Sequence, residues 1–168
     1  MAKFFSRKIF ATINNMKNQN IQSSFAIVII FFIIGAFLIN QPVKNLAPEN
    51  IKYVKIAGQN VKVDLALTEE IQAQGLSGRV SLKDNEGMLF IFPQSGNYSF
   101  WMKDMNFPID MIWLNENKKV IYIKRNARPE FFPESYGPDE NSKYVLEVIS
   151  GFSEKNNLKV GDRVEFGY

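Results

Sequence analysis

The sequence predicts a mainly β domain, a compact antiparallel sandwich or small barrel with one or two short helices, preceded by a single N-terminal transmembrane helix. Three observations carry this prediction. Apolar residues recur with period two in short runs. Turn-forming residues interrupt those runs every few positions. One charge-free apolar stretch is confined to the first quarter of the chain.

That stretch organises the N-terminus. Residues 1–20 read as a basic cytoplasmic arm, 21–39 as a transmembrane signal-anchor helix, 40–50 as a short polar linker with two prolines, and 51–168 as an exported domain. No charged residue lies between Lys17 and Lys44, and the span matches the roughly 20 residues a helix needs to cross the hydrocarbon core. A buried core helix is the bland alternative, but the run is apolar on all sides and has no polar face. A cleaved signal peptide is the nearer rival. Ile34-Gly35-Ala36 is a poor cleavage site, and Asn45-Leu46-Ala47 is followed by Pro48. Lys3, Arg7, Lys8 and Lys17 precede the span with no acid among them. The positive-inside rule therefore predicts a single-pass protein of the inner or cytoplasmic membrane, its N-terminus in the cytoplasm and its C-terminal domain periplasmic or extracellular.

The domain reads as follows. Tyr53 to Ala57 and the alternation of Val61, Val63, Leu65 and Leu67 with Lys62, Asp64 and Ala66 form a first strand pair around a turn at Gly58 to Asn60. Thr68 is an N-cap for a short helix with Glu69 and Glu70 in its first turn, and Gly75 stops it. Strands follow at Met88 to Phe92, Tyr98 to Lys103, Ile109 to Leu114, Val120 to Ile123, Tyr144 to Ile149 and Arg163 to Phe166. Asn115 to Lys118 is a hairpin turn, and Ser153 to Asn157 a helical turn. The frequent turns predict hairpins rather than βαβ units. Between Asn126 and Ser142 the strand rhythm fails. Pro129, Pro133 and Pro138 interrupt a segment that still carries Phe131, Phe132 and Tyr136, and so long a loop in a compact domain is usually functional.

Composition narrows the chemistry. With no Cys there is no disulfide or thiolate nucleophile, and with no His there is no Ser-His-Asp triad or His-based metal site. No metal or cofactor is assigned. The chain carries a net charge of +3, but from residue 50 onward there are 15 Lys+Arg and 16 Asp+Glu. The basic character thus records membrane orientation, and nucleic acid is not an expected partner.

Carboxylates, Arg, Lys and aromatic residues remain as candidates. Arg79 leaves a turn made by Gly75 and Gly78, either as an anion clamp or as a brace for the loop. Trp101 and Lys103 share one strand face, with Phe100 and Met102 on the other. Asp110 shares a face with Ile112 and Leu114, and Glu147 with Val145 and Ile149. Each is an acid where an apolar residue belongs, and a desolvated carboxylate must be paired or its pKa rises. The expectation is a buried Asp110 with a cationic partner. If the two acids face each other, they form an acid–base pair. Phe131, Phe132 and Tyr136 are the loop candidates.

Several blocks resemble a known family when taken in order. They are Leu67 to Arg79 with its Gly75-Leu76-Ser77-Gly78-Arg79 turn, Glu86 to Phe92, Phe100-Trp101-Met102-Lys103, Pro108-Ile109-Asp110, Tyr144-Val145-Leu146-Glu147 and Leu158 to Asp162. Over about Lys55 to Phe166 the chain resembles the DUF192 family, domain of unknown function 192. The resemblance implies a compact, mainly antiparallel β-domain, often exported behind a signal or anchor, and implies no particular reaction. Many members are similar in carrying cysteines in the long loop, where this chain has Phe131, Phe132 and Pro133. The leading functional expectation is a membrane-tethered binding or accessory domain for a glycan, an envelope component or a protein partner. A hydrolase using Asp110 and Glu147 is the alternative, and a structural envelope protein without a small-molecule site is the third.

Overall fold

The computed structural model describes residues 47–168. The predicted arm 1–20, transmembrane helix 21–39 and most of the linker 40–50 lie outside the described residues. Among the described residues no helix is long and apolar enough to cross a membrane.

After a single 3-10 turn at Pro48–Asn50, strand β1 (Tyr53–Ile56) and strand β2 (Gln59–Ala66) form a hairpin. Ala57 and Gly58 turn it with φ of 48° and 76°, the left-handed pair that a tight two-residue hairpin needs. Helix α1 (Glu69–Gln74) follows, the Thr68 hydroxyl accepting from the Ile71 amide at 3.4 Å as its N-cap. Strand β3 (Glu86–Gly96) then runs parallel to β2, with Leu65 opposite Leu89. Here the structure corrects the antiparallel expectation at one strand pair. Parallel neighbours need a crossover of a dozen or more residues, and the segment from Leu67 to Asn85, which contains α1, supplies it.

Strands β5 (Ile109–Leu114), β6 (Val120–Ala127) and β8 (Ser142–Ile149), helix α2 (Phe152–Lys155) and strand β9 (Glu165–Gly167) complete the main sheet. Its order is β6-β5-β8-β3-β2-β1-β9. The sheet curls into a half-barrel, because residues just before β9 return to the start of β6. Lys119 pairs with Arg163, the Val120 amide donates to Asp162 at 2.9 Å, and the Val164 amide donates to Lys118 at 2.9 Å. The predicted strand at Tyr98 to Lys103 shortens to β4 (Phe100–Trp101), which pairs with β7 (Ser135–Tyr136) as a separate ribbon. β7 lies in the Asn126 to Ser142 segment, where two residues are too few to show a period.

Both faces of the sheet are covered. Val54, Val61, Leu89, Ile112 and Leu146 belong to one apolar core. Met88, Phe90, Met111, Trp113 and Val145 belong to the other, which Leu76, Met102, Phe107 and Tyr136 close from outside. Hence all six residues of β5 are buried, as are Gly87 to Phe92 of β3.

Asp110 is fully buried on the first of these faces, and its expected cationic partner is absent among the described residues. Its partners are backbone amides instead. Oδ1 accepts from Asn126 at 2.9 Å and from Gly151 at 3.3 Å, and Oδ2 from Ser153 at 2.8 Å. A carboxylate is satisfied by several N–H donors as well as by a cation. The Asn126 contact falls where the β5–β6 register shifts, and the other two hold the first turn of α2, whose N-cap Gly151 has no side chain to offer. Asp110 is therefore a structural knot joining β5, β6 and α2.

The expected consequence is a stability phenotype. Asp110→Ala leaves three buried or half-buried amides unpaired and should lower the unfolding free energy by roughly 3 kcal/mol or more. Urea unfolding of the purified protein measures this, and a loss below about 1 kcal/mol would contradict the assigned role.

Candidate functional site

A cavity of about 210 Å³ opens between the C-terminal end of α1, the outer face of β3 and the segment leading into β4. Residues of three distant stretches meet in it: Gln72 to Ser77, Phe90 with Phe92, and Tyr98 to Trp101, joined by Met105 and Glu147. Gln72 fixes α1 over the sheet, its Nε2 donating to the carbonyls of Ala66 and Ile91 at 3.1 Å each. Gly75 ends α1 at φ 54°, ψ −133°, a conformation that favours glycine. A Cβ there would lie 3.4 Å from Phe90 Cζ and 3.9 Å from Glu147 Oε2. Glycine here thus adds no side chain against Phe90 and Glu147.

The aromatic walls brace one another. Phe92 stacks on Tyr98 with centroids 3.5 Å apart, while Phe100 meets Phe90 edge-on at 4.8 Å and Trp113 at 5.7 Å. Trp101 stands at the rim, 57% exposed, its ring edge-on to Phe132 at 6.4 Å.

Glu147 is only 5% exposed, and its Oε2 has no hydrogen-bond partner. Its strand neighbours on that face are Met88 and Met111, which offer it no donor. Burial pushes its pKa from 4.5 up to about 8, against the opposing pull of the Arg79 charge. Among the described residues Arg79 is the only charged group acting on it, and that guanidinium is already held 2.7 Å from Asp64 Oδ2. The turn carrying Arg79 is stitched in place. Ser77 Oγ donates to the Lys103 carbonyl at 2.8 Å, the Gly78 amide to the Asp104 carbonyl at 2.9 Å, and Asn106 Nδ2 to the Arg79 carbonyl at 2.8 Å. Arg79 is thus a brace whose charge is felt in the cavity.

The remaining candidates divide. Glu147 and Trp101 line the cavity together. Lys103 contributes its carbonyl to the neighbouring turn, while its side chain is exposed and outside the lining. Phe132 reaches the rim through Trp101, and Phe131 is exposed on the 3-10 turn Pro129–Phe131 beside it. Tyr136 is buried in the second core. Its hydroxyl donates to Glu134 Oε2 at 3.0 Å, and burial, with that bond, pushes its pKa to about 12.

The register removes the acid–base pair. Asp110 lies opposite Val148, and Glu147 opposite Met111. Asp110 therefore points to the first core and Glu147 to the second, on opposite faces of one sheet. Sequence reasoning did not identify Gln72, Phe90, Phe92, Tyr98, Ser99 and Met105 as site residues. The equal parity of Phe90 and Phe92 with Met88 was the available signal on β3, and nothing local placed Tyr98 against them.

Comparison with known proteins follows from this geometry. The DUF192 family model, described as an uncharacterised ACR, matches residues 52–166. The UPF0127 protein PF1050 of Pyrococcus furiosus is 28% identical over 111 residues, covering 65% of this chain and 91% of its own. A crystal structure of a protein of unknown function from Novosphingobium aromaticivorans DSM 12444 aligns with a TM-score of 0.65 at 31% identity, over 74% of this chain and 89% of that one. One of a proposed transcription regulator from Sinorhizobium meliloti 1021 aligns with a TM-score of 0.64 at 28% identity, over 68% and 90%.

The raised pKa sets a pH signature. Native Glu147 holds its proton between pH 4.5 and about 8, where the unfolded chain has released it, so stability should fall as pH rises through that window. The slope expected from this group is on the order of 1.4 kcal/mol per pH unit. Urea unfolding at about pH 5 and about pH 8, near the two ends of that window, measures it. Glu147→Gln should flatten the profile, and an unchanged slope in that variant would refute the assignment.

Proposed function

The chain belongs to the DUF192 family, and on that premise we propose that its exported part is a membrane-tethered domain that binds a small ligand in the Glu147 cavity. The observation carrying this reading is the unpaired, buried Oε2 of Glu147 at the wall of an aromatic cavity. Leaving a buried polar atom without a partner costs about 1–3 kcal/mol, so a persistent one points to a partner supplied from outside. Perturbed carboxyl groups in clefts are characteristic of functional sites. The five aromatic rings Phe90, Phe92, Tyr98, Phe100 and Trp101 supply the apolar contact area, and Glu147 supplies the polar anchor.

The cavity favours this reading over a structural envelope protein without a small-molecule site. The hydrolase alternative loses its second carboxylate, since Asp110 is committed to three amides on the other face. The membrane tether rests on the charge-free stretch 21–39 and the four cations before it. An envelope ligand follows from that placement. Nucleic acid stays outside the reading because the chain from residue 50 onward carries one more acid than base.

A test uses full-length protein in nonionic detergent. Ligand-observed NMR against monosaccharides, amides, alcohols and amines should give binders that both Glu147→Gln and Trp101→Ala weaken at least about fivefold, roughly 1 kcal/mol. Binders indifferent to both substitutions, or none in any class, would overturn the reading.

A further inference from the structure

We infer that the ligand of this cavity is an organic cation, a small ammonium group seated against the Glu147 carboxylate and the aromatic walls. The inference deepens the ligand-binding reading and rests on it. Charge is the first argument. Among the described residues, Glu147 is the only acid in the lining, and no Lys or Arg lines the cavity. Arg79, whose charge acts on Glu147, is engaged by Asp64 at 2.7 Å and tied down by the Gly78 and Asn106 contacts. The cavity therefore holds an acid whose counter-charge the protein has placed elsewhere.

The walls are the second argument. Aromatic rings attract cations through their negative faces, more strongly where water is excluded. Phe90, Phe92, Tyr98, Phe100 and Trp101 line the same cavity as Glu147. A neutral ligand uses only the apolar surface and one hydrogen bond, whereas an ammonium group uses the rings and the carboxylate together. The volume of about 210 Å³ restricts the cation to a headgroup-sized molecule.

The third argument is the proton. From β3 and β5 the residues facing Glu147 are Met88, Phe90 and Met111, and from α1 and its following turn Gly75 and Arg79. Arg79 is the only charged one among these described residues, so the pH response of the site belongs to Glu147. A cation selects the ionised carboxylate. Binding then displaces the proton of Glu147 to solvent, and affinity rises with pH up to about 8. A neutral hydrogen-bond acceptor selects the protonated form and shows the opposite trend.

Isothermal titration calorimetry of the full-length protein, in a nonionic detergent, tests this with choline and its neutral isostere carrying tert-butyl in place of trimethylammonium. Choline should bind at least about tenfold more tightly than the isostere. Its affinity should rise about thirtyfold from pH 6.5 to pH 9.0, given a carboxyl near pH 8. Close to one proton should be released per choline bound at about pH 7, read from buffers of different ionisation enthalpy. Glu147→Gln should abolish the preference for choline, and Trp101→Ala, at an exposed position that leaves the core intact, should weaken choline at least about fivefold. Free choline and phosphatidylcholine in mixed micelles form separate arms, and binding in either supports the inference while naming its source. Equal or tighter binding of the isostere, with affinity falling above pH 8, overturns the cation and leaves the ligand-binding reading standing. Absence of heat with both compounds overturns the cation inference. If the fragment panel also gives no binder, the ligand-binding reading falls with it.

Discussion

The constraint on which the rest of this structure depends is the burial of both faces of the curled sheet. A sheet with one wet face can place polar side chains at every second position, but β3, β5 and β8 have no such freedom. An acid on these strands must find donors inside the protein or stand as an unpaired polar group. Asp110 and Glu147 are the two buried acids among the described residues, and they meet the constraint in opposite ways. Asp110 collects three backbone amides and becomes part of the framework. Glu147 collects none at Oε2. The same residue type, one position apart in register on neighbouring strands, is thus held by three amides on one face and left unpaired at Oε2 on the other.

What was legible in the sequence follows the same physics. The alternation of Val61 and Val63 with Lys62 and Asp64 marks β2 because it has a wet side, as period-two reading requires. Thr68 and Gly75 bracket α1 because caps are local chemistry. The parallel pairing of β2 with β3 was not legible, since an apolar run such as Met88 to Phe92 does not state the direction of its neighbour. The partners of Asp110 were not legible either. Its apolar neighbours announced burial, but whether a carboxylate is met by a guanidinium or by amides is decided by Asn126, Gly151 and Ser153, brought from two later segments. Glu147 was legible as an acid on an apolar face. The cavity around it was not, because it is an encounter of α1, β3 and the Tyr98 to Trp101 segment across long stretches of chain.

The site is built of parts that carry more than one duty. Gly75 ends a helix and adds no side chain against Phe90 and Glu147. Phe100 closes the second core against Phe90 and Trp113 while forming a cavity wall, and its pairing with Tyr136 brings the Pro129–Phe131 turn to the rim. An aromatic wall of interlocked edge-to-face contacts is stiff, and stiffness matters here. A soft wall would collapse onto the unpaired carboxyl, and the polar group would lose its access to a ligand.

Arg79 shows that the unpaired carboxyl is a property of the arrangement and not of composition. Asp64, Met88, Glu147 and Met111 lie in one row across four strands, so Asp64 and Glu147 share a face about 10 Å apart, two strand spacings. Arg79 acts on both acids and bonds only Asp64. That pair is half exposed, and such pairs contribute no more than about 1 kcal/mol. Burial instead raises the Glu147 pKa to about 8, so the group avoids an unpaired buried charge by keeping its proton. The Arg79 turn is anchored to the segment from Lys103 to Asn106, which holds Arg79 at Asp64 while Ser77 and Met105 of the same two segments line the cavity.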